Sequence, residues 1–289
     1  MFDFRYHALS LAAVIIALAV GLLLGVAIGD ANLVSNAEKR VVDSLHGDLN
    51  GARNDAAQVR AELGFRSGYE HSVYPELVAG TLRGKRIGLV FLGRPSNQVS
   101  GLVRAALDPT TGAKIVLVAV MRDPIDAAKL AAAASPSRYG ALAADPTLMG
   151  PFGTRIGVQL VTGGRFISRI EPALFSSYNG VLERLDGIVL VRAAGAVAAG
   201  AQHANDQFEN GLANGLGSTG VPVVGVETST TNPSQISWYS QHNLSSVDDL
   251  DDIAGSTALV DALAGAHGAF GRKSSATALL PPTTATRRP

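Results

Sequence analysis

The chain has 289 residues, with 24 Lys and Arg against 24 Asp and Glu, so its formal net charge is zero. Without a basic excess it offers no broad field for nucleic acid, and no nucleic-acid partner is expected. Cysteine is absent and only three methionines occur, which excludes disulfides and leaves few of the soft sulfur ligands that favour Cu(I).

The first element is an uncharged run of 21 residues at 8–28, ALSLAAVIIALAVGLLLGVAI, behind the seven-residue flank MFDFRYH. A helix rising ~1.5 Å per residue would cover roughly the ~30 Å hydrocarbon core of a bilayer over that run. Buried helices of soluble proteins rarely stay apolar on every face, and signal-peptide cores span only ~7–15 residues. An uncleaved transmembrane anchor over 8–29 is therefore expected. Ala13, Ala17, Gly21, Gly25 and Gly29 recur every fourth residue. That spacing puts small residues on one helix face as overlapping GxxxG motifs, which predicts pairing of two anchors. Arg5 and the amino terminus precede the run, whereas Lys39 and Arg40 follow only after Asp30 and Glu38. The positive-inside rule then favours a single-pass plasma-membrane protein with its N-terminus in the cytoplasm and its bulk outside.

A helical stalk is predicted over 33–64. Val42, Leu45, Leu49, Ala52, Ala56, Val59 and Leu63 alternate in steps of three and four, the a/d pattern of a coiled coil, with Lys, Arg, Asp and Glu at flanking positions. Two alanine knobs weaken the seam, and Gly47 and Gly51 each cost ~1 kcal/mol of helix stability. Paired anchors would raise the local concentration enough to support a weak seam, so a homodimer or higher homo-oligomer is expected.

An α/β domain is predicted over 70–271. Apolar strands are expected at 87–92 (IGLVFL), 114–121 (KIVLVAVM), 186–191 (DGIVLV) and 221–226 (VPVVGV). They alternate with helices: one capped by Ser96 and ending at Leu107, one opened by Asp123 and Pro124, and others at 154–162, 205–216 and 253–264. Continuous apolar strands between helices imply a mostly parallel sheet covered on both faces, of Rossmann or flavodoxin-like type. The Pro-, Ser- and Gly-rich stretch 135–153 reads as a loop, and 272–289 as a disordered tail.

Chemistry-bearing motifs are sparse. The six histidines, His7, His46, His71, His203, His242 and His267, contain no pair at i, i+3 or i, i+4. Asp248, Asp249, Asp251 and Asp252 form the densest charge cluster, in SSVDDLDD. Two readings stand: a site for a partner or a hard cation, and capping of the helix that follows. Gly93-Arg94-Pro95-Ser96-Asn97 and Ala194-Gly195-Ala196 follow strands, where α/β folds hold ligands, but neither is a phosphate loop. No catalytic constellation is apparent, so no enzymatic activity and no cofactor are expected.

The opening FRYHALSLAAVIIALAVGLLLGVAIGD, with His7-Ala8-Leu9-Ser10-Leu11 at the membrane entry, resembles the start of actinobacterial copper transport proteins of the MctB type. The stalk, the strand after Gly84-Lys85, the SSVDDLDD segment and the closing GAHGAFG match that layout in order, with Phe270 where a tyrosine is expected. The same family is similar to the corynebacterial division factor SteB. The resemblance spans nearly the whole chain and implies a homo-oligomeric envelope protein of copper efflux or homeostasis. Copper enters by resemblance alone, since no ligand motif carries over and the metal-ligating residues stay unknown. The alternative is a membrane-anchored scaffold that binds an envelope protein in cell division or wall remodelling.

Overall fold

The structure is a computed structural model that describes residues 4–28, 31–181, 183–193 and 202–282. The chain divides into two compact units, residues 1–68 and 69–289.

The first unit holds helix α1 (Phe4–Ile28) and most of α2 (Ala31–Val78). Residues 5–27 of α1 are all exposed and the helix contains no charge after Arg5, so it has no polar face to turn to water. The seam residues Val42, Leu45, Leu49, Ala52, Val59 and Leu63 are exposed and Ala56 is half-buried. The stalk is longer than predicted: α2 continues beyond 64 to Val78, with Pro75 inside it. Tyr74, Val78 and, in the next turn, Leu82 recur every fourth residue and are buried. The Tyr74 hydroxyl donates to the Ala106 carbonyl at 2.7 Å. Burial of this apolar row within the second unit is what carries the helix past the predicted end.

The second unit is built on a seven-stranded sheet in the order β3-β2-β1-β4-β5-β6-β7. Its strands are β1 (Arg86–Leu92), β2 (Lys114–Met121), β3 (Phe175–Gly180), β4 (Gly187–Arg192), β5 (Val223–Val226), β6 (Ser245–Val247) and β7 (Ala269–Phe270). All neighbours pair in parallel except β2 and β3. Taken without β3, the parallel strands follow the flavodoxin-like order, and the direction of winding reverses between β1 and β4. The central strands are apolar because both faces are covered: six consecutive residues of β1 and five of β4 are buried.

One face of the sheet carries α3 (Asn97–Leu107), α9 (Ile253–Leu263) and the end of α2, whose Val78, Val103 and Leu259 meet Leu89 and Phe91. The other carries α4 (Ala127–Ala134), α5 (Met149–Thr162), α6 (Arg165–Leu174), α7 (Gln202–Gly217) and α8 (Ile236–Gln241), around Phe152, Ile156, Phe208 and Leu212. Helices α5 and α7 touch backbone to backbone: a Cβ on Gly211 would lie 2.1 Å from the Gly150 carbonyl oxygen. Gly225 serves β5 similarly, since a Cβ there would lie 2.4 Å from the Tyr239 ring.

Several predicted features move. Ser96 caps α3 as expected, accepting from the Val99 N–H at 3.2 Å. The helix after β2 begins later than predicted: Asp126, not Asp123, is the cap of α4 and accepts from the Lys129 N–H at 2.9 Å. Asp123 instead stands in a turn with a cis bond to Pro124. The stretch 135–153 is not a free loop. It forms short 3-10 turns at Arg138–Ala141 and Pro146–Leu148 before α5, and Tyr139, Leu142, Met149 and Phe152 anchor it in the core. Beyond β7, residues assigned to the tail are docked: Gly271 donates to the Ala278 carbonyl at 2.9 Å, and Lys273 is four-fifths buried.

Candidate functional site

The sequence offered two kinds of candidate, apolar stripes on the helices and polar groups at strand ends. Along α1, Ala13, Ala17, Gly21 and Gly25 share one exposed face, and nothing lies within 4 Å of a Cβ built on either glycine. Gly29 lies outside the described residues. On α2 the large seam residues stay exposed, from 47% for Val42 and Leu49 to 60% for Leu45. Large apolar side chains thus stand exposed along α2 at helical spacing.

At the carboxyl end of the sheet the winding reversal lies between Leu92 of β1 and Arg192 of β4, the place where such folds hold ligands. Here the crevice is occupied by the chain's own side chains. Arg192 donates from Nε to Glu209 at 2.7 Å and also to the Gln235 side-chain oxygen, and its guanidinium lies 5.1 Å from the Trp238 ring centre. Burial pushes the Glu209 carboxyl up, and the Arg192 charge works against that shift. The Tyr239 hydroxyl accepts from the Arg192 N–H at 2.9 Å and donates to the Leu190 carbonyl at 3.2 Å. Asn205 donates to Asp123 at 2.7 Å and accepts from the Ile125 N–H at 3.0 Å. The cavity left among Leu92, Asp123, Asn205 and Glu209 measures about 10 Å³, room for about one water. Arg94 is exposed beside this end, and 194–196 lie outside the described residues.

Of the four aspartates of SSVDDLDD, Asp248, Asp249 and Asp252 meet at Arg272, and Asp251 turns to Ser229. Asp248 accepts from the Arg272 and Lys273 N–H groups at 2.8 and 3.0 Å. Asp251 accepts from the Ser229 N–H and hydroxyl at 2.7 and 2.6 Å; burial opposes the shift, yet these bonds hold its carboxyl below the usual range. Asp252 caps α9 through the Ala254 N–H and pairs with Arg272. Asp249 is fully buried, its carboxyl accepts no hydrogen bond, and that carboxyl lies 3.5 Å from the Arg272 Nε. Burial, then repulsion by Asp248 and Asp252, pushes it up to about 6. Asp252 thus caps the helix that follows, while Asp248 and Asp251 bond loop groups. Among the described residues no group of three or more His, Asp or Glu side chains is arranged to hold a metal. His203, His242 and His267 each bond a neighbour, and Met121 and Met149 are core residues.

Sequence reasoning missed the ion pair under the tail. Glu227, at the end of β5, is buried and accepts from Lys273 Nζ at 2.6 Å, from Ser234 at 2.7 Å and from the Gln235 N–H at 2.6 Å. The same ammonium donates to the Thr228 and Thr231 carbonyls. An ionisable residue directly after an apolar strand, as with Arg192 and Glu227, was the available signal.

A single helix, Arg5–Ala27, is long and apolar enough to cross a membrane among the described residues, with mean hydropathy 2.8. No curated protein matches the chain. The family described as copper transport outer membrane protein, MctB, matches residues 1–281. With an N-terminal apolar helix, a mostly parallel α/β domain and nearly its whole length matched, the chain belongs to the MctB family.

Proposed function

We propose that the chain is a single-pass plasma-membrane protein of the cell envelope, N-terminus in the cytoplasm, that contributes to copper efflux or homeostasis as a homodimer or higher homo-oligomer. The observation that carries the reading is α1, a helix of 25 residues whose described side chains all face outward without a polar stripe, in a chain of the copper transport family. Lipid fits that surface, and the four-residue spacing of Ala13, Ala17, Gly21 and Gly25 suits a second copy. The exposed seam of α2 continues the same pairing. The one membrane-crossing helix found among the described residues encloses no pore, so copper passes, in this reading, only through an assembly of several copies or with a partner.

The second reading is a non-enzymatic scaffold that presents the α/β domain to an envelope protein. It is favoured by the crevice at the winding reversal, where Arg192, Glu209, Gln235 and Tyr239 bond to one another and take up the space a substrate would use.

Copper tolerance separates the two. A strain lacking the chain should grow less well under copper load, and the wild-type chain should restore it where a Gly21→Ile/Gly25→Ile variant does not. Unchanged tolerance on deletion would remove the copper role and leave the scaffold.

A further inference from the structure

We infer that the α/β domain carries a second binding site, in the groove between α5 and α7, for a phosphorylated sugar. The groove measures about 650 Å³ and lies between the first turns of α5 and the outer face of α7. That volume is in the range of small-molecule sites, ~300–1,000 Å³.

Its walls select the ligand. The backbones of α5 and α7 meet at glycines, so the floor is Gly150 and Gly211, while Gln207, Asn210 and Asn214 rise from successive turns of α7. Thr154 stands opposite on α5. Amides offer paired donors and acceptors at fixed spacing, which matches vicinal hydroxyls and gives nothing to an apolar ligand. The Gln207 side-chain oxygen accepts no hydrogen bond, and its nitrogen lies 2.9 Å from His203 Nε2, so Asn210 and Asn214 are the amides left to a ligand.

One end of the groove is cationic. Arg138 lines it, with its guanidinium 4.8 Å from the Tyr139 ring centre and an N–H donated to the Tyr139 hydroxyl at 2.8 Å. Arg155, which does not line the groove, lies 4.4 Å from the Phe166 ring centre and 5.7 Å from that of Tyr139. Arg138 thus rests on an aromatic ring rather than on a carboxylate, which holds it in place and leaves its charge to the groove. Asp145 is engaged locally by the Thr147 N–H and hydroxyl. The first turn of α5 has no side-chain cap, so its dipole adds to the positive field at Gly150. Arg138 takes the phosphate and the α7 amides take the sugar hydroxyls.

The test uses the full chain in detergent micelles, titrated calorimetrically with glucose 1-phosphate, glucose and inorganic phosphate. Glucose 1-phosphate should bind at least about tenfold more tightly than either fragment. Arg138→Gln should weaken it about tenfold and Asn214→Ala several-fold, with the circular dichroism spectrum unchanged, since both residues are exposed. Methyl glucosyl phosphate is the added probe of source. Equal binding assigns the ligand to a phosphodiester-linked glycan, and weaker binding assigns it to a free sugar phosphate. Absence of binding, inorganic phosphate binding as tightly as the sugar phosphate, or affinity unchanged by both substitutions would each overturn the site.

Discussion

The crossing of α5 and α7 gives a stability effect whose sign opposes the usual one. Replacing an interior helix glycine by alanine ordinarily stabilises, by about 1 kcal/mol. At Gly211 and Gly215 the added Cβ would lie 2.1 Å from the carbonyl oxygens of Gly150 and Thr154, where ordinary contact begins at 3.4 Å. The obstacle is backbone on the facing helix, so no rotamer change relieves it and α7 must retreat by on the order of 1 Å. Overpacking of this kind costs ~1–3 kcal/mol, and the rigid partner places these sites at the upper end. After the propensity gain, a net loss of about 2 kcal/mol per substitution is expected. For a domain of this size that is a fall of roughly 4–8 °C in Tm. Gly101, exposed on α3 with nothing within 4 Å of a Cβ, is the control, and Gly101→Ala should raise Tm by roughly 2–4 °C. Melting of the full chain in micelles, followed by circular dichroism, reads both. If Gly211→Ala also rises, the helices do not touch as described and the reasoning fails.

Other outcomes follow from the same geometry. Gly21→Ile with Gly25→Ile should reduce a membrane two-hybrid signal for self-association, and an undiminished signal would remove the small-residue face from the account. Lys273→Met leaves the Glu227 carboxylate buried without its cation, so a loss of about 2–4 kcal/mol and faster proteolysis within 272–282 are expected. If denaturation midpoints match wild type, the docked segment contributes nothing. Asp249 binds its proton more tightly in the folded state, near 6, than an unfolded aspartate does. Its ionised form therefore opposes folding at neutral pH, and stability should rise as pH falls from about 6 towards 4, below which the difference vanishes. Asp249→Asn should stabilise the chain at pH 7 by on the order of 1–3 kcal/mol and lose that advantage near pH 4. An advantage independent of pH would exclude the carboxylate as its cause.

Legibility in the sequence tracked burial. Strands β1, β2, β4 and β5 were visible because central parallel strands lie between helix layers and read as apolar runs. The edge strand β3 was not, since FSSYNG exposes most of its side chains and pairs antiparallel to β2. Strand β6 was hidden because Ser245 and Ser246 are buried despite their polarity. Pro, Ser and Gly around 135–153 masked Tyr139, Leu142 and Phe152, whose burial decides that region more than its composition does. At the strand ends, Asp252 as a cap was readable from position alone. The Arg192–Glu209 and Glu227–Lys273 pairs were not, because they join residues distant in the chain that meet only once the sheet is assembled. The groove was equally hidden: glycines on α5 and α7 look like weak helix until the helices are seen to close on them.

The most direct test of the central claim is cell-associated copper after a copper pulse, in a deletion strain carrying the full chain, a chain beginning at residue 31, or neither. A membrane-tethered role in copper handling requires that the deletion strain retain more copper than wild type. The full chain should restore the wild-type level, and the form without α1 should leave the excess in place. Equal copper in all strains, or full restoration by the untethered form, would contradict the account.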